Sequence, residues 1–109
     1  MSDRIRKVNA LIHKEMSRIM TENLSLKPGL FLTISKIDTT DDLRYTRIFV
    51  RVFPGKESEY GMKTLEHERF TLQKQLHKKL HMKVCPKISF AHDTTGDEVD
   101  EIERLLQES

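Results

Sequence analysis

Lysine and histidine recur between positions 74 and 87 at spacings suited to an extended anion. Lys74, His77, Lys78, Lys79 and His81 fall close together, and Lys83 and Lys87 continue the charge beyond them. On an ideal helix each residue advances about 100°, so Lys74 and Lys78 stand opposite Leu76. His77 and His81 then flank that outer face, and Lys79 sits nearer the core edge, where its stem can snorkel. A row of ammonium groups can follow phosphates as point charges. The alternative is a plain solvated face. Against it, Glu66 and Glu68 are the only acids in residues 63–91.

Two smaller basic sets accompany this block. Arg44, Arg47 and Arg51 form one on the second strand, where Arg47 and Arg51 alternate with Phe49 on one face and Tyr45 and Phe53 extend it. Arginine interleaved with aromatic rings can stack exposed bases and hold phosphates, but Tyr45 and Phe49 are equally compatible with a core role. Arg4, Arg6 and Lys7 open the chain and suit either a contact or a solvated helix start.

Other chemistry is poorly supported. His77 and His81 have i, i+4 spacing that can bind a metal, yet no glutamate follows the first histidine and the neighbouring lysines repel a cation. A protonation-sensitive contact suits the pair better. Asp38, Asp41 and Asp42 lack calcium-loop spacing and read as turn residues. Cys85 has no catalytic signature around it and reads as an inert thiol. There is no glycine-rich phosphate loop, nucleophile elbow or zinc signature. The chain is therefore expected to have no catalytic residue, no metal, no cofactor and no small-molecule substrate.

Composition narrows the class. The 109 residues are 37% hydrophobic and 33% charged, with four glycines, three prolines and no tryptophan. That length predicts one domain spanning 1–109. One cysteine cannot form an internal disulfide, which points to a reducing compartment and a cytoplasmic protein. No apolar run exceeds three residues, as at Leu30 to Leu32, which is too short for a membrane span, and the amphipathic start is unlike a secretory signal. The net charge of +2 conceals a split: residues 63–91 carry +5 and residues 92–109 carry −6. A segregated basic block implies a polyanionic partner.

The elements that must position these residues follow from periodicity. Ile5, Val8, Leu11, Ile12, Met16, Ile19 and Met20 predict a helix over 3–24, capped by Ser2. A strand over 30–38 places Leu30, Leu32 and Ile34 on one side and Phe31, Thr33, Ser35 and Ile37 on the other. The strand over 44–53 turns Thr46, Ile48, Val50 and Val52 inward, and the pair makes an antiparallel hairpin. Residues 57–82 read as helical, with a break near 67–70 where the stripe steps from Leu65 to Leu72. A third strand over 86–90 then requires a parallel crossover. Residues 97–109 form a short acidic C-terminal helix. The class is α+β: a three-stranded mixed sheet with helices packed on one face.

This order, helix-strand-strand-helix-helix-strand, resembles a type II KH domain, an RNA-binding fold. Several segments narrow the resemblance to the ribosome-binding factor A family. They are Asp42-Leu43 before the strand from Arg44 to Val52, and Leu80 through Phe90 followed by Asp93. The opening helix with Arg4 and Val8 and the closing Ile102, Leu105 and Leu106 also resemble it. The resemblance implies a bacterial assembly factor that binds the small ribosomal subunit and its rRNA. It implies a role in late maturation and rRNA processing, often in cold adaptation, as a monomer and without catalysis. One departure concerns the helix break, where the family carries Ala-x-Gly and this chain has Glu68-Arg69-Phe70. The family's long C-terminal extension is also nearly absent here. The implied RNA-binding set is Lys74, Lys78, Lys79, His77, His81, Lys83, Lys87, Arg47, Arg51, Arg4, Arg6 and Lys7. The competing reading is a protein-interaction adaptor that docks through its acidic C-terminal helix and its basic helix.

Overall fold

A computed structural model describes residues 2–95 of the chain. Helix α1 spans Asp3–Asn23, strand β1 Phe31–Thr39 and strand β2 Tyr45–Phe53. A short 3₁₀ turn, Gly55–Glu57, leads into helix α2, Ser58–His67, then helix α3, Arg69–Leu80, and strand β3, Lys87–His92. The sheet order is β1-β2-β3. β1 and β2 are antiparallel and β2 and β3 are parallel, so the sheet is mixed and the architecture α+β. The acidic helix expected over 97–109 lies outside the described residues.

Local chemistry sets the boundaries. The Ser2 hydroxyl accepts from the Ile5 N–H at 3.2 Å and caps α1. Gly29, at φ 84°, makes the turn into β1. The break between α2 and α3 falls at Glu68, whose N–H donates to the Thr64 carbonyl while its own carbonyl accepts from Leu72 N–H. α3 ends earlier than the sequence implies: His81 is left-handed, at φ 52°, and caps the helix instead of continuing its outer face.

One face of the sheet meets all three helices of the described residues. Ile12, Met16 and Ile19 of α1, Leu65 of α2, and Leu72, Leu76 and Leu80 of α3 close over Ile34, Ile37, Ile48, Val50 and Ile88. Leu11 turns outward at the edge of the α1 stripe. Strict alternation places Ile37 opposite Ile34, but both are buried. The register shifts between Ile34 and Lys36, and this bulge inserts one extra residue that returns Ile37 and Thr39 to the core. Thr39 donates to Asn9 Oδ1 at 2.6 Å, which leaves the Thr46 hydroxyl to donate to Thr39 at 2.9 Å. Two buried hydroxyls are thereby satisfied, and α1 is tied to the sheet.

Gly61 marks the closest approach of α2. A Cβ there would stand 3.1 Å from Val52 Cγ1 and 3.2 Å from Leu32 Cδ2. Glycine within a helix costs ~1 kcal/mol relative to alanine, so contact with the sheet explains its presence better than helix propensity. Gly61→Val is expected to lower stability by ~1–3 kcal/mol through overpacking, as measured by chemical denaturation.

Candidate nucleic-acid interface

The cationic ridge follows from how α3 packs. Leu72, Leu76 and Leu80 recur every four residues and are buried. The opposite face therefore carries Phe70, Lys74, His77 and Lys78, all exposed, with Lys79 exposed beside them. Phe70, Lys74 and Lys78 rise in steps of about 6 Å. The helix dipole favours cations in the last turn, which accounts for part of the charge at His77, Lys78 and Lys79. It does not account for Lys74, Lys83 or Lys87. Among the described residues, none of these five lysines has a carboxylate partner, whereas Lys27, Lys63, Arg44, Arg51 and Arg69 do.

Gln73 fixes this ridge to the sheet. Its Nε2 donates to the Pro86 carbonyl at 3.0 Å and approaches Cys85 Sγ at 3.4 Å, and its Oε1 accepts from Ile88 N–H at 2.8 Å. Sequence reading missed this role, because a glutamine between lysines looks solvated. Its position beside Leu72 and three before Leu76, on the rim of the apolar stripe, was the available signal.

The C-terminal end of α3 runs into a second basic region. Arg4, Arg44 and Lys83, with Asp42, Leu43, Met82 and Val84, line a hollow of about 350 Å³. Three distant chain segments thus bring cations together. Lys87 adjoins them, its N–H donating to the Arg44 carbonyl at 2.8 Å. Arg6 and Lys7 are exposed on the same end of α1 but do not line the hollow. The Asp42 carboxylate accepts from the Thr40 hydroxyl at 2.7 Å and from the Arg44 N–H at 3.0 Å. These bonds, the Thr40 one foremost, lower its pKa, so Asp42 acts as a turn residue.

Arg47 and Arg51 belong to a different surface. They project from the side of the sheet away from the helices, in the row Tyr45, Arg47, Phe49, Arg51, Phe53. Tyr45 is 57% exposed and Phe53 58%, and Phe31, the cross-strand partner of Phe53, is 62% exposed. Phe49 is half-buried beneath Lys36, whose Nζ lies 5.5 Å from the ring centroid. A core role for Tyr45 is therefore excluded. Phe31 and Lys36 were not singled out from sequence; both complete the surface only through strand pairing. Arg51 is engaged by Asp93 at 3.3 Å.

Other candidate chemistry is quiet. Burial pushes the half-buried Cys85 thiol above its ordinary pKa, so it is a poorer nucleophile than a free thiol. Among the described residues, no group of histidine, cysteine, aspartate and glutamate could hold a metal ion. Nor is any helix there long and apolar enough to cross a membrane.

Comparison with known proteins agrees with this architecture. A family model described as ribosome-binding factor A matches residues 4–106. The chain is 34% identical over 113 residues to a ribosome-binding factor A of Prosthecochloris aestuarii, covering 100% of this chain and 91% of that one. It is 31% identical over 111 residues to its counterpart in Pelagibacter ubique, covering 99% and 91%. Among solved structures, a candidate ribosome binding factor A from Thermotoga maritima superposes with a TM-score of 0.73 at 21% identity, covering 87% of this chain and 92% of that one. A homology model of the Thermus thermophilus ribosome binding factor A, as fitted into a cryo-EM map of a 30S complex with that factor, gives 0.67 at 20% identity, covering 78% and 90%. At those identities the structures speak for the fold.

Gln73→Leu is expected to lower stability by ~1–3 kcal/mol in chemical denaturation, because Ile88 N–H and the Pro86 carbonyl lose their partner. A second outcome concerns acid. Hydrogen bonds from the Ser35 hydroxyl first, then from the Thr95 N–H and hydroxyl and from Arg51, hold the Asp93 carboxyl well below the usual carboxylate range. A carboxyl lowered on folding stabilises above its ordinary pKa and loses that contribution as pH falls through the lowered value. The stability gap between wild type and Asp93→Asn is expected to be full at neutral pH. It should close on acidification below about pH 4, followed by denaturation at stepped pH.

Proposed function

This chain belongs to the ribosome-binding factor A family, and from that premise we propose that it binds the small ribosomal subunit through rRNA phosphates and assists late maturation and rRNA processing without catalysis. The observation that supports phosphate contact is the α3 ridge, with lysines that no carboxylate of the described residues neutralises. Lys74, His77, Lys78 and Lys79 would meet one stretch of backbone. His81, Lys83, Lys87 and Arg4 would extend contact around the end of the sheet, with Arg6 and Lys7 at its margin. Arg47 and Arg51 would form a separate contact on the open side.

The break at Glu68-Arg69-Phe70 has no glycine, so backbone cannot approach a phosphate there as closely as glycine permits. Recognition would fall to side chains instead. An ammonium row binds charge along a path and carries little sequence information, so docking would depend on the shape of the folded RNA. The effect on assembly would be thermodynamic. A factor that binds one rRNA conformer better than another shifts their equilibrium by its difference in affinity, and no bond-making step is needed.

The double variant Lys74→Ala with Lys78→Ala is expected to fold normally and bind purified small subunits more weakly. The slope of log affinity against log salt should fall by about 0.7–0.9 for each phosphate that the variant no longer neutralises. Sedimentation with subunits across a salt series measures both. An unchanged slope in the folded variant would remove α3 from the interface.

A further inference from the structure

Asp38 and Arg47 are cross-strand partners in β1 and β2, and Ser89 is the partner of Arg47 in β3. A carboxylate beside a guanidinium on an exposed strand pair is well placed to form an ion pair. Here none forms, although the same sheet face carries the Arg51–Asp93 pair at 3.3 Å. Instead, Asp38 and Arg47 flank a hollow of about 360 Å³, lined also by Thr40, Tyr45, Thr46 and Ser89. The hydroxyls of Thr40 and Thr46 are committed elsewhere, to Asp42 and to Thr39. The free polar groups are thus an acceptor-only carboxylate, a planar fork of donors and the Ser89 hydroxyl. The Tyr45 ring stands beside them, more than half exposed. Lys87, its partner in β3, is exposed and has no carboxylate partner among the described residues.

A flat, hydrogen-bonding group of heteroaromatic size fits this set. The ring offers a stacking surface. The carboxylate accepts from adjacent N–H groups, and the guanidinium donates to adjacent acceptors. Guanine is the base that satisfies both groups with paired bonds: its N1 and N2 N–H groups can face a carboxylate, and its O6 and N7 can face an arginine. Uracil offers one N–H between two carbonyls. The surrounding cations, Lys36 and Lys87, suit the phosphates on either side of such a base.

Resting on the proposed rRNA contact, we infer that the open side of the sheet reads an unpaired guanine in single-stranded RNA. The base stacks on Tyr45, its donor edge meets Asp38, and its acceptor edge meets Arg47. Lys87 holds an adjoining phosphate, and the exposed Phe31–Phe53 pair gives a further stacking position at the end of β2. This surface is distinct from the α3 ridge, which lies beyond the core on the other side of the sheet.

The test measures binding of the full chain to oligouridine of about ten nucleotides, with and without one central guanosine, at low salt. Wild type is expected to favour the guanosine-containing strand by about tenfold. Asp38→Asn should abolish that preference and retain affinity for oligouridine. Tyr45→Ala should weaken both strands by about fivefold or more. Both side chains are exposed, and a thermal melt confirms folding. Equal affinity of wild type for the two strands overturns the inference, as does wild-type behaviour of both variants. If the sheet variants behave as wild type while Lys74→Ala with Lys78→Ala loses small subunits, the guanine reading fails and the proposed function stands. Absence of measurable affinity for either strand in wild type overturns the guanine reading, whereas only failure to bind purified small subunits would sink the proposed function.

Discussion

Three strands present two faces, and among the described residues the apolar stripes of the helices cover only one. That constraint organises the molecule. Leu72, Leu76 and Leu80 must face Ile48, Val50 and Ile88 across the core, so the opposite flank of α3 is committed to solvent and carries Phe70, Lys74 and Lys78. The alternation of β2 sends Thr46, Ile48, Val50 and Val52 to the helices and leaves rings and arginines outside. Both charged surfaces follow from one packing decision, on opposite sides of a shared core. They are held in fixed relation because Gln73 bonds the helix to the start of β3, and β3 pairs with β2 along six positions.

Much of this was legible in the residues. The strand around Ile48 declared itself by strict alternation, and the stride from Leu65 to Leu72 located the break later seen at Glu68. Ser2 announced the start of α1. The failures share a cause, because each depends on an event that one-dimensional periodicity does not encode. A single extra residue near Ser35 reversed the side expected for Ile37. A left-handed turn at His81 stopped α3 one residue before the second histidine of the pair. Of the expected contact residues, the α3 lysines stand together and Arg4 and Lys83 meet at the end of the sheet, whereas Arg47 and Arg51 turn away to another surface. That partition was invisible in sequence, where all of them read simply as basic. Phe31 gained significance only when register placed it against Phe53.

The departure at the helix break changes which groups would hold charge in the proposed rRNA contact. Where glycine would let backbone amides touch an anion, this chain presents a glutamate, an arginine bonded to Glu66 and an aromatic ring that is 80% exposed. Arg69 lies over that ring at 5.3 Å. In the proposed rRNA contact, long flexible cations would take the place of short rigid amides in holding charge. They lose more side-chain entropy on binding, and they adapt to more than one backbone path.

The bulge at Ser35 has a consequence beyond repairing the core. β1 is an outer strand, and an outer strand of regular geometry is a template on which another chain can hydrogen-bond. A local kink with added twist spoils that template, and the exposed Lys36 beside it adds a repelling charge. The same irregularity that seats Ile37 discourages edge-to-edge self-association, and so helps keep a strand with phenylalanine on its outer side from seeding aggregates.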